Sequence, residues 1–295
     1  MLTFIKRTLQ AILLLGLALP STAQKDVMYD QYMEAPMAIN PAYTGIQEHF
    51  NLNILLRRRW FSIPGAPVTP TLYTDGTIAN GHVGLGFMAL NDQMSPFSTT
   101  GFYGSTSYIF HTDTGWKISV GAQGGINILP VYGQGYTGRK KLASFGLGLW
   151  VQNDRFYAGI SKPEMLDEDF GTGGSRWDYQ VPLYLTTGGK IALNNDLVLS
   201  PNLTAIISNR VKNEVHMGMK LWYMKLIGIG AYYRIGEINR FHIVSEVQVG
   251  KNVRVGYAYD SRTVESKYNI VGIGLSGMHE LIFRFVPNPV SFNYY

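Results

Sequence analysis

Hydrophobic and polar residues alternate with a period of two along most of this chain, and no other feature limits its possible folds so strongly. The alternation is clear in six segments: 50–60, 116–123, 145–151, 215–223, 241–249 and 253–260. Such a period puts successive side chains on opposite faces of a β-strand, and frequent glycines within it weaken any helix. The sequence therefore predicts an all-β protein.

Two classes of connection separate these strands, and they alternate strictly. The compact turns lie at 80–81, 111–115, 153–154, 194–195, 224–225 and 251–252. The other connections, mostly longer, lie at 62–66, 91–98, 130–140, 163–179, 208–213, 236–239 and 261–267. Thirteen connections join about fourteen strands, and short turns on one side with longer loops on the other are typical of outer-membrane barrels. We therefore predict a transmembrane up-and-down antiparallel β-barrel with both termini on the periplasmic side.

The scarcity of charge fits a wall that meets lipid. Only 15% of residues are charged, against about 25% in soluble domains, whereas the 46% of hydrophobic residues is ordinary. One face of each strand would meet lipid, and the other would line a lumen built largely from Gly, Ser, Thr, Asn and Tyr. Tyr and Trp near the strand ends would sit at the bilayer interface. The alternative is a secreted β-sandwich or soluble barrel, but Greek-key crossovers would break the alternation of loop classes.

The first 23 residues have the features of a secretory signal peptide. Lys6 and Arg7 precede an apolar run at 11–19, and small residues at 21–23 form a cleavage site. We predict a signal peptide at 1–23, an N-terminal periplasmic segment or plug at 24–49, and an outer-membrane barrel at 50–295. Losing both basic residues lowers the net charge from +5 to +3, which gives no argument for a nucleic-acid partner.

No residue pattern points to catalysis or to a metal or cofactor site. The six histidines stand apart without metal-ligand spacing, so each is expected in the lumen or in a turn. No Gly-x-Ser-x-Gly nucleophile motif is present, and the paired glycines at 84 and 86 are strand glycines. We predict a protein that is not an enzyme. The alternative of a membrane-embedded hydrolase rests only on unpaired polar residues.

Two charged clusters have mainly structural interpretations. Glu164, Asp167, Glu168 and Asp169 lie in the longest connection, where a solvated outer loop is favoured over a calcium site. In Arg57-Arg58-Arg59 the period of two turns Arg57 and Arg59 toward the lumen or its mouth, and Arg58 toward the headgroups. The basic run at 139–141 could meet anionic lipopolysaccharide or nothing in particular.

The segment 24–49 precedes the first strand but is too apolar for a solvated tail. It contains Met28, Tyr32, Met37 and Tyr43, with turn chemistry at Asn40-Pro41. Two compatible interpretations stay open: a plug inside the barrel, and a docking surface in the periplasm.

The same residues resemble the opening of the PorP/SprF family of Bacteroidetes outer-membrane proteins. The resemblance rests on Gln31-Tyr32-Met33, Pro36 and the run from Ile39 through Asn40, Pro41, Ala42, Tyr43 and Thr44 to Gly45. It continues through Asn53, Arg57, Trp60, Gly65, Ala66, Pro67 and Thr69, and ends with His279, Glu280 and 281–285. Arg59 stands where the family has glutamine, which puts any role of that amide in doubt.

The resemblance implies a barrel of the type IX secretion and gliding machinery. It would help to export or anchor a large secreted adhesin with a C-terminal sorting signal, and it would contact periplasmic components of the machinery and outer-membrane lipid. The candidate partner-binding residues are Gln31, Tyr32, Met33, Pro36, Asn40, Pro41, Tyr43, Gly45, Arg57 and Trp60. The alternative function is a passive, porin-like diffusion channel.

Overall fold

A computed structural model describes residues 35–59, 66–94, 97–133, 136–165, 168–169, 178–179, 182–208, 213–236, 239–260 and 278–286. Within these ranges fourteen antiparallel strands form the barrel wall, which confirms the predicted fold. The strands are β1 (Asn51–Arg59), β2 (Val68–Ile78), β3 (Val83–Met94), β4 (Phe97–His111), β5 (Lys117–Gly133), β6 (Tyr136–Gln152), β7 (Phe156–Lys162), β8 (Leu183–Gly189, continued by Ile191–Ala192), β9 (Leu197–Ile207), β10 (Glu214–Tyr223), β11 (Ile227–Ile235), β12 (Arg240–Val249), β13 (Val253–Asp260) and β14 (Met278–Phe285).

Every strand pairs with its neighbours in the chain, and the last pairs with the first. β14 lies antiparallel to β1 in a register that places Arg57 opposite Glu280, and β8 pairs with both β7 and β9. The ladder is therefore closed, so these strands leave no open edge within lipid. Among the described residues, no helix is long and apolar enough to cross a membrane.

Burial alternates along the strands as the period of two predicts. In β11, Ile227, Ile229 and Tyr233 point outward and are exposed, whereas Tyr232 and Arg234 point into the barrel and are buried. The aromatic residues divide between the two faces, and those on the inner face were wrongly assigned to the bilayer interface: Tyr73, Trp150, Tyr157, Trp222 and Tyr232. Tyr73 and Tyr232 lie in the middle of their strands, and the position of all five residues in the alternation turns them inward.

The short connections lie where the sequence predicts them. Residues 79–82 join β2 to β3, and the central residues of this turn, Asn80 and Gly81, have φ of 56° and 87°. Met224 and Lys225 join β10 to β11 with φ of 50° and 60°. Positive φ at both central residues gives the tight hairpin turn whose twist matches the strands. The side of the barrel that carries these turns is the periplasmic side.

Two of the predicted long connections are mostly strand. β3 includes 91–94 and β4 begins at 97, whereas β5 includes 130–133 and β6 includes 136–140, where Pro130 lies opposite Arg139. The alternation of apolar residues marks only the part of a strand that meets lipid, and a hairpin can extend beyond it with polar side chains. β5 and β6 therefore reach 17 residues each instead of the predicted 9 to 12. In the longest connection, Glu168–Asp169 pairs with Asp178–Tyr179. The connection from β13 to β14 and the glycines at 272 and 274 lie outside the described residues.

Candidate functional site

The lumen contains a plug, which we define as residues 35–49. Two single 3₁₀ turns, Pro36–Ala38 and Pro41–Tyr43, shape it, and each begins with the proline that is favoured at a first helical position. The Asn40 side chain caps the second turn by accepting a hydrogen bond of 2.9 Å from the Ala42 backbone N–H. This segment folds locally because its proline and asparagine residues define both turns.

Direct hydrogen bonds fix the middle of the plug to β6 and β7. Asn40 Nδ2 donates to the Leu149 carbonyl at 3.1 Å, and Ser161 Oγ donates to the Ile39 carbonyl at 2.7 Å. The polar backbone of the plug, which is out of reach of water here, thereby obtains partners from the wall.

Aromatic side chains hold the same region by packing. The Tyr43 ring meets the edge of Trp150 at a centroid distance of 5.0 Å, and Trp150 stacks on Tyr157 at 5.1 Å. Trp150 is completely buried, and its indole Nε1–H donates to Gln152 at 2.9 Å. The tryptophan therefore has both its apolar ring and its polar atom satisfied inside the lumen.

The end of the plug nearest β1 is bound to β2 and β4. Thr44 Oγ1 donates to Ser105 Oγ at 2.8 Å, and Ser107 Oγ donates to the Thr44 carbonyl at 2.6 Å. The Gly45 backbone N–H donates to Asp75 Oδ2 at 2.7 Å. Gly45 has φ of 72°, a conformation that glycine adopts without steric cost.

Inward-facing glycines of the wall leave the space that the plug occupies. A Cβ atom on Gly121 would lie 2.5 Å from the Ala42 Cα, and one on Gly84 would collide with the Thr44 carbonyl. Non-bonded carbon atoms prefer separations of about 3.5–4.0 Å, so the plug backbone excludes any side chain there. These glycines are therefore contact positions for the plug.

A cluster of charged side chains holds the plug's last residues at the periplasmic turns. Glu48 Oε1 lies 2.5 Å from Lys117 Nζ and 2.9 Å from His111 Nε2, and Lys117 Nζ also donates to the Ile46 carbonyl at 3.3 Å. Burial alone would raise the pKa of Glu48, but the hydrogen bonds from Lys117 and His111 outweigh it and hold this pKa below its ordinary value.

On the extracellular side of the plug, the chain after β7 turns into the lumen. Gln123 Nε2 donates to the Pro163 carbonyl at 2.8 Å, and Glu164 Oε1 accepts hydrogen bonds from Asn127 Nδ2 at 2.5 Å and Ser144 Oγ at 3.1 Å. Glu164 is buried, so the predicted solvated acidic loop is wrong for this residue. The sequence could not indicate this, because the amide and hydroxyl partners come from β5 and β6.

The wall opposite the plug carries charged side chains in addition to the small and polar residues that the sequence predicts for the lumen. Lys220 Nζ lies 2.7 Å from Glu246 Oε1, and Arg254 Nη1 lies 3.5 Å from Glu246 Oε2. Both cations also lie over the Trp222 ring, at 5.2 Å and 4.7 Å from its centroid. All four side chains are buried or nearly so, and their pairing offsets part of the cost of desolvation.

A second set of inward charges lies nearer the extracellular end. Arg57 Nε lies 3.4 Å from Glu280 Oε1 with both side chains 1% exposed, and His216 Nε2 lies 2.9 Å from Glu214 Oε2. Within the described part of the chain, no three His, Cys, Asp or Glu side chains come close enough to hold a metal ion.

The family model for the type IX secretion system membrane protein PorP/SprF matches residues 21–285. The chain belongs to this family. The match confirms the resemblance in the plug and in the closing strand of the barrel. None of the curated proteins matches the chain.

Solved structures agree with the fold of this PorP/SprF protein. The Acinetobacter baumannii outer membrane protein Omp33 is similar with a TM-score of 0.52 at 10% identity, over 83% of this chain and 100% of that one. The Pseudomonas putida toluene transporter TodX has a TM-score of 0.49 at 11% identity, over 91% of this chain and 95% of that one. At 10% identity the likeness to Omp33 shows an outer-membrane barrel fold and no more.

The structure places most of the candidate partner-binding residues inside the barrel of this PorP/SprF protein. Five lie in the plug and are buried against the wall or caught in its turns: Pro36, Asn40, Pro41, Tyr43 and Gly45. Arg57 faces the lumen as predicted, whereas Gln31, Tyr32, Met33 and Trp60 lie outside the described residues. A partner could touch the buried six only after the plug leaves the barrel, so their docking role stays a prediction.

Sequence reasoning missed the polar partners that hold the plug and the charged wall opposite. Asp75, Ser105 and Ser107 each lie at an inward position of a strand, as do Lys220 and Glu246. Their orientation was readable from the period of two. Their pairing was not, because it depends on which strands are neighbours and in what register.

Proposed function

We propose that this PorP/SprF protein is a non-enzymatic outer-membrane barrel of the type IX secretion machinery, which helps to export a secreted adhesin or to hold it at the cell surface. The observation that supports this proposal is the occupied lumen. Residues of the plug and the inward turn at 163–165 fill one half of it, and buried ion pairs line the other. A barrel filled in this way is suited to anchoring a partner rather than to passing solutes.

The same observation weighs against the passive diffusion channel. A porin keeps a polar, water-filled lumen. Here Asn40, Thr44 and Glu164, which would line such a lumen, are bound instead to other parts of the chain. The proposal therefore expects the purified protein to conduct ions weakly or not at all in a planar bilayer, and steady porin-like conductance would favour the channel.

The main test is deletion of the gene followed by quantification of cell-surface and medium proteins. We expect one large adhesin to stay unsecreted or to appear in the medium, and a plasmid copy of the gene to restore it to the surface. Unchanged surface display of every large adhesin would refute the proposal.

Partner contact through the N-terminal segment needs a separate test. Asn40 and Tyr43 hold the plug in place, so replacing them disturbs both the plug and any docking. Tyr32 precedes the described plug and allows the two effects to be separated. If the segment docks to periplasmic components, Tyr32→Ala should weaken their co-purification while heat-modifiable migration of the barrel stays normal. Normal co-purification with Tyr32→Ala would remove this residue from the docking surface.

A further inference from the structure

Charged side chains on the outer face of the described strands have a single sign. No outward position of these strands carries Asp or Glu. Five outward positions carry a group that is or can become positive: Arg58, Arg139, Lys141, Lys162 and His279. Each lies in the half of its strand that is nearer the long connections. The outward cations therefore lie toward the extracellular side.

This arrangement points to a ligand in the outer leaflet. An Arg or Lys that faces lipid costs about 2–4 kcal/mol at the midplane and about 0–1 kcal/mol near the interface. Long cationic side chains at strand ends therefore extend toward the headgroups. A surface with cations at one leaflet and no carboxylate among them is complementary to anions of that leaflet.

The outward groups come closest together where the last strand meets the first. The β1–β14 register places Arg58 opposite His279, and the β13–β14 register places Tyr259 on the other side of His279. Tyr257 OH lies 2.7 Å from His279 Nδ1, and the Tyr259 and His279 rings are 5.2 Å apart. A guanidinium, an imidazole and two phenols thus share one patch, which we call the seam patch.

An apolar surface continues from the seam patch toward the middle of the membrane. Leu56 lies opposite Leu281, and Ile54 lies opposite Phe283 in the next outward row. These side chains are 40–50% exposed on the lipid face. A molecule with a phosphate at the height of Arg58 and hydrocarbon chains below it would contact both parts.

We propose that the seam patch binds the phosphate group of an anionic outer-leaflet lipid, with its acyl chains along the apolar surface below. Arg58 supplies a planar donor suited to phosphate oxygens, and Tyr257 orients the His279 ring beside it. The site is independent of the proposed role in secretion. It would fix how the barrel sits in the outer leaflet.

The test uses the full-length mature protein in detergent, titrated with bisphosphorylated lipid A and followed by native mass spectrometry. We expect one lipid A to be retained and phosphatidylcholine to be lost under the same conditions. Arg58→Gln with His279→Gln should weaken retention by at least about ten-fold, as expected for losing charge-assisted hydrogen bonds. The matched control is Lys225→Gln with Lys251→Gln, which removes two exposed charges from periplasmic turns and should bind as the wild type does.

Three further measurements keep the result interpretable. Heat-modifiable migration checks that each variant is folded, and Tyr257→Phe removes only the hydroxyl that orients His279, for an expected few-fold loss. Inorganic phosphate at millimolar concentration should not displace the lipid, because the acyl chains contribute to binding. Equal retention of lipid A by the seam variant and the control, or equal retention of phosphatidylcholine, would overturn the proposal.

Discussion

Adding a methyl group to the plug-facing glycines should release the plug while leaving the barrel wall intact. A Cβ on Gly121 would lie 2.5 Å from backbone atoms of Pro41 and Ala42, and a Cβ on Gly84 would collide with the Thr44 carbonyl. The Cβ on Gly84 would also meet the side-chain Oγ of Ser107 in the wall. The other obstructing atoms belong to the plug backbone, so rotation of a side chain cannot relieve the overlap. We therefore expect Gly84→Ala combined with Gly121→Ala to lift the plug from the wall.

The magnitude follows from opposing contributions. Overpacking costs about 1–3 kcal/mol per site, and the two glycines lie two strands apart, about 10 Å, where such costs roughly add. Against this, the hydrogen bonds between the wall and Ile39, Asn40, Thr44 and Gly45 contribute about 1 kcal/mol each. At about 2 kcal/mol for each site, the two substitutions shift the equilibrium between the bound and the released plug by about 4 kcal/mol. That shift corresponds to about a 10³-fold larger population with the plug released.

The absence of natural cysteine makes this population measurable. Ile46 is completely buried in the plug, so an Ile46→Cys background should react with a maleimide only when the plug opens. Gly104→Ala is the matched control, because Gly104 lies on a neighbouring strand, faces outward and has open space around its Cβ position. We expect labelling to be faster by two to three orders of magnitude in the double variant and unchanged in the control. Equal labelling rates in folded samples of both variants would refute the reasoning.

Three other outcomes follow from the contacts described above. Glu48→Gln should speed the same labelling a few-fold at neutral pH, because exposed ion pairs contribute about 0–1 kcal/mol. Since the pKa of Glu48 is lowered in the folded protein, its contribution is present above the ordinary carboxyl pKa and is lost as pH falls below about 4, where variant and wild type should converge. Lys220→Met should lower the free energy of unfolding in vesicles, measured with urea, by about 3–5 kcal/mol, because it leaves Glu246 buried without its closest partner. Adding Glu246→Leu removes the buried carboxylate but also takes the ion-pair partner from Arg254, so it should recover only part of that loss. A double variant whose losses simply add would contradict the pairing of Lys220 with Glu246. Glu164→Leu should cost about 1–3 kcal/mol for each donor that loses its acceptor, whereas Glu164→Gln keeps an acceptor oxygen and should cost less than half as much in the same assay.

The fold was predictable because local patterns determine most of it. The alternation separated Met217 and Tyr223, which are exposed, from Lys220, which is buried, and the turn residues at 80–81 and 224–225 marked the periplasmic hairpins. The extension of β5 and β6 was not predictable in this way, because a hairpin above the bilayer needs no apolar face.

The histidines show the same division between local pattern and long-range contact. His216 and His242 face the lumen, and His82 and His111 lie at the periplasmic turns, as predicted. His279 is the exception, since it faces outward between two tyrosines of the neighbouring strand. The alternation in β14 alone fixes its face, but its polar partners depend on the β13–β14 register.

The residue types of the two inner walls differ because the plug backbone lies directly against only one of them. The other wall meets the plug through the Ile39 side chain. Gly121 faces plug backbone and Gly148 faces the Asn40 side chain, both at distances that exclude a Cβ, so the wall of β3 to β7 must be small there. The wall of β10 to β14 faces no plug backbone in the described contacts, and long side chains such as Lys220, Glu246 and Arg254 occupy its interior. If the plug leaves, a cavity opens along the wall of β3 to β7, where the residues are small. The wall of β10 to β14 keeps its own ion pairs. Release of the plug should therefore open space within the lumen along these strands. For this reason Gly84→Ala combined with Gly121→Ala tests the function of the lumen and not merely the stability of the barrel.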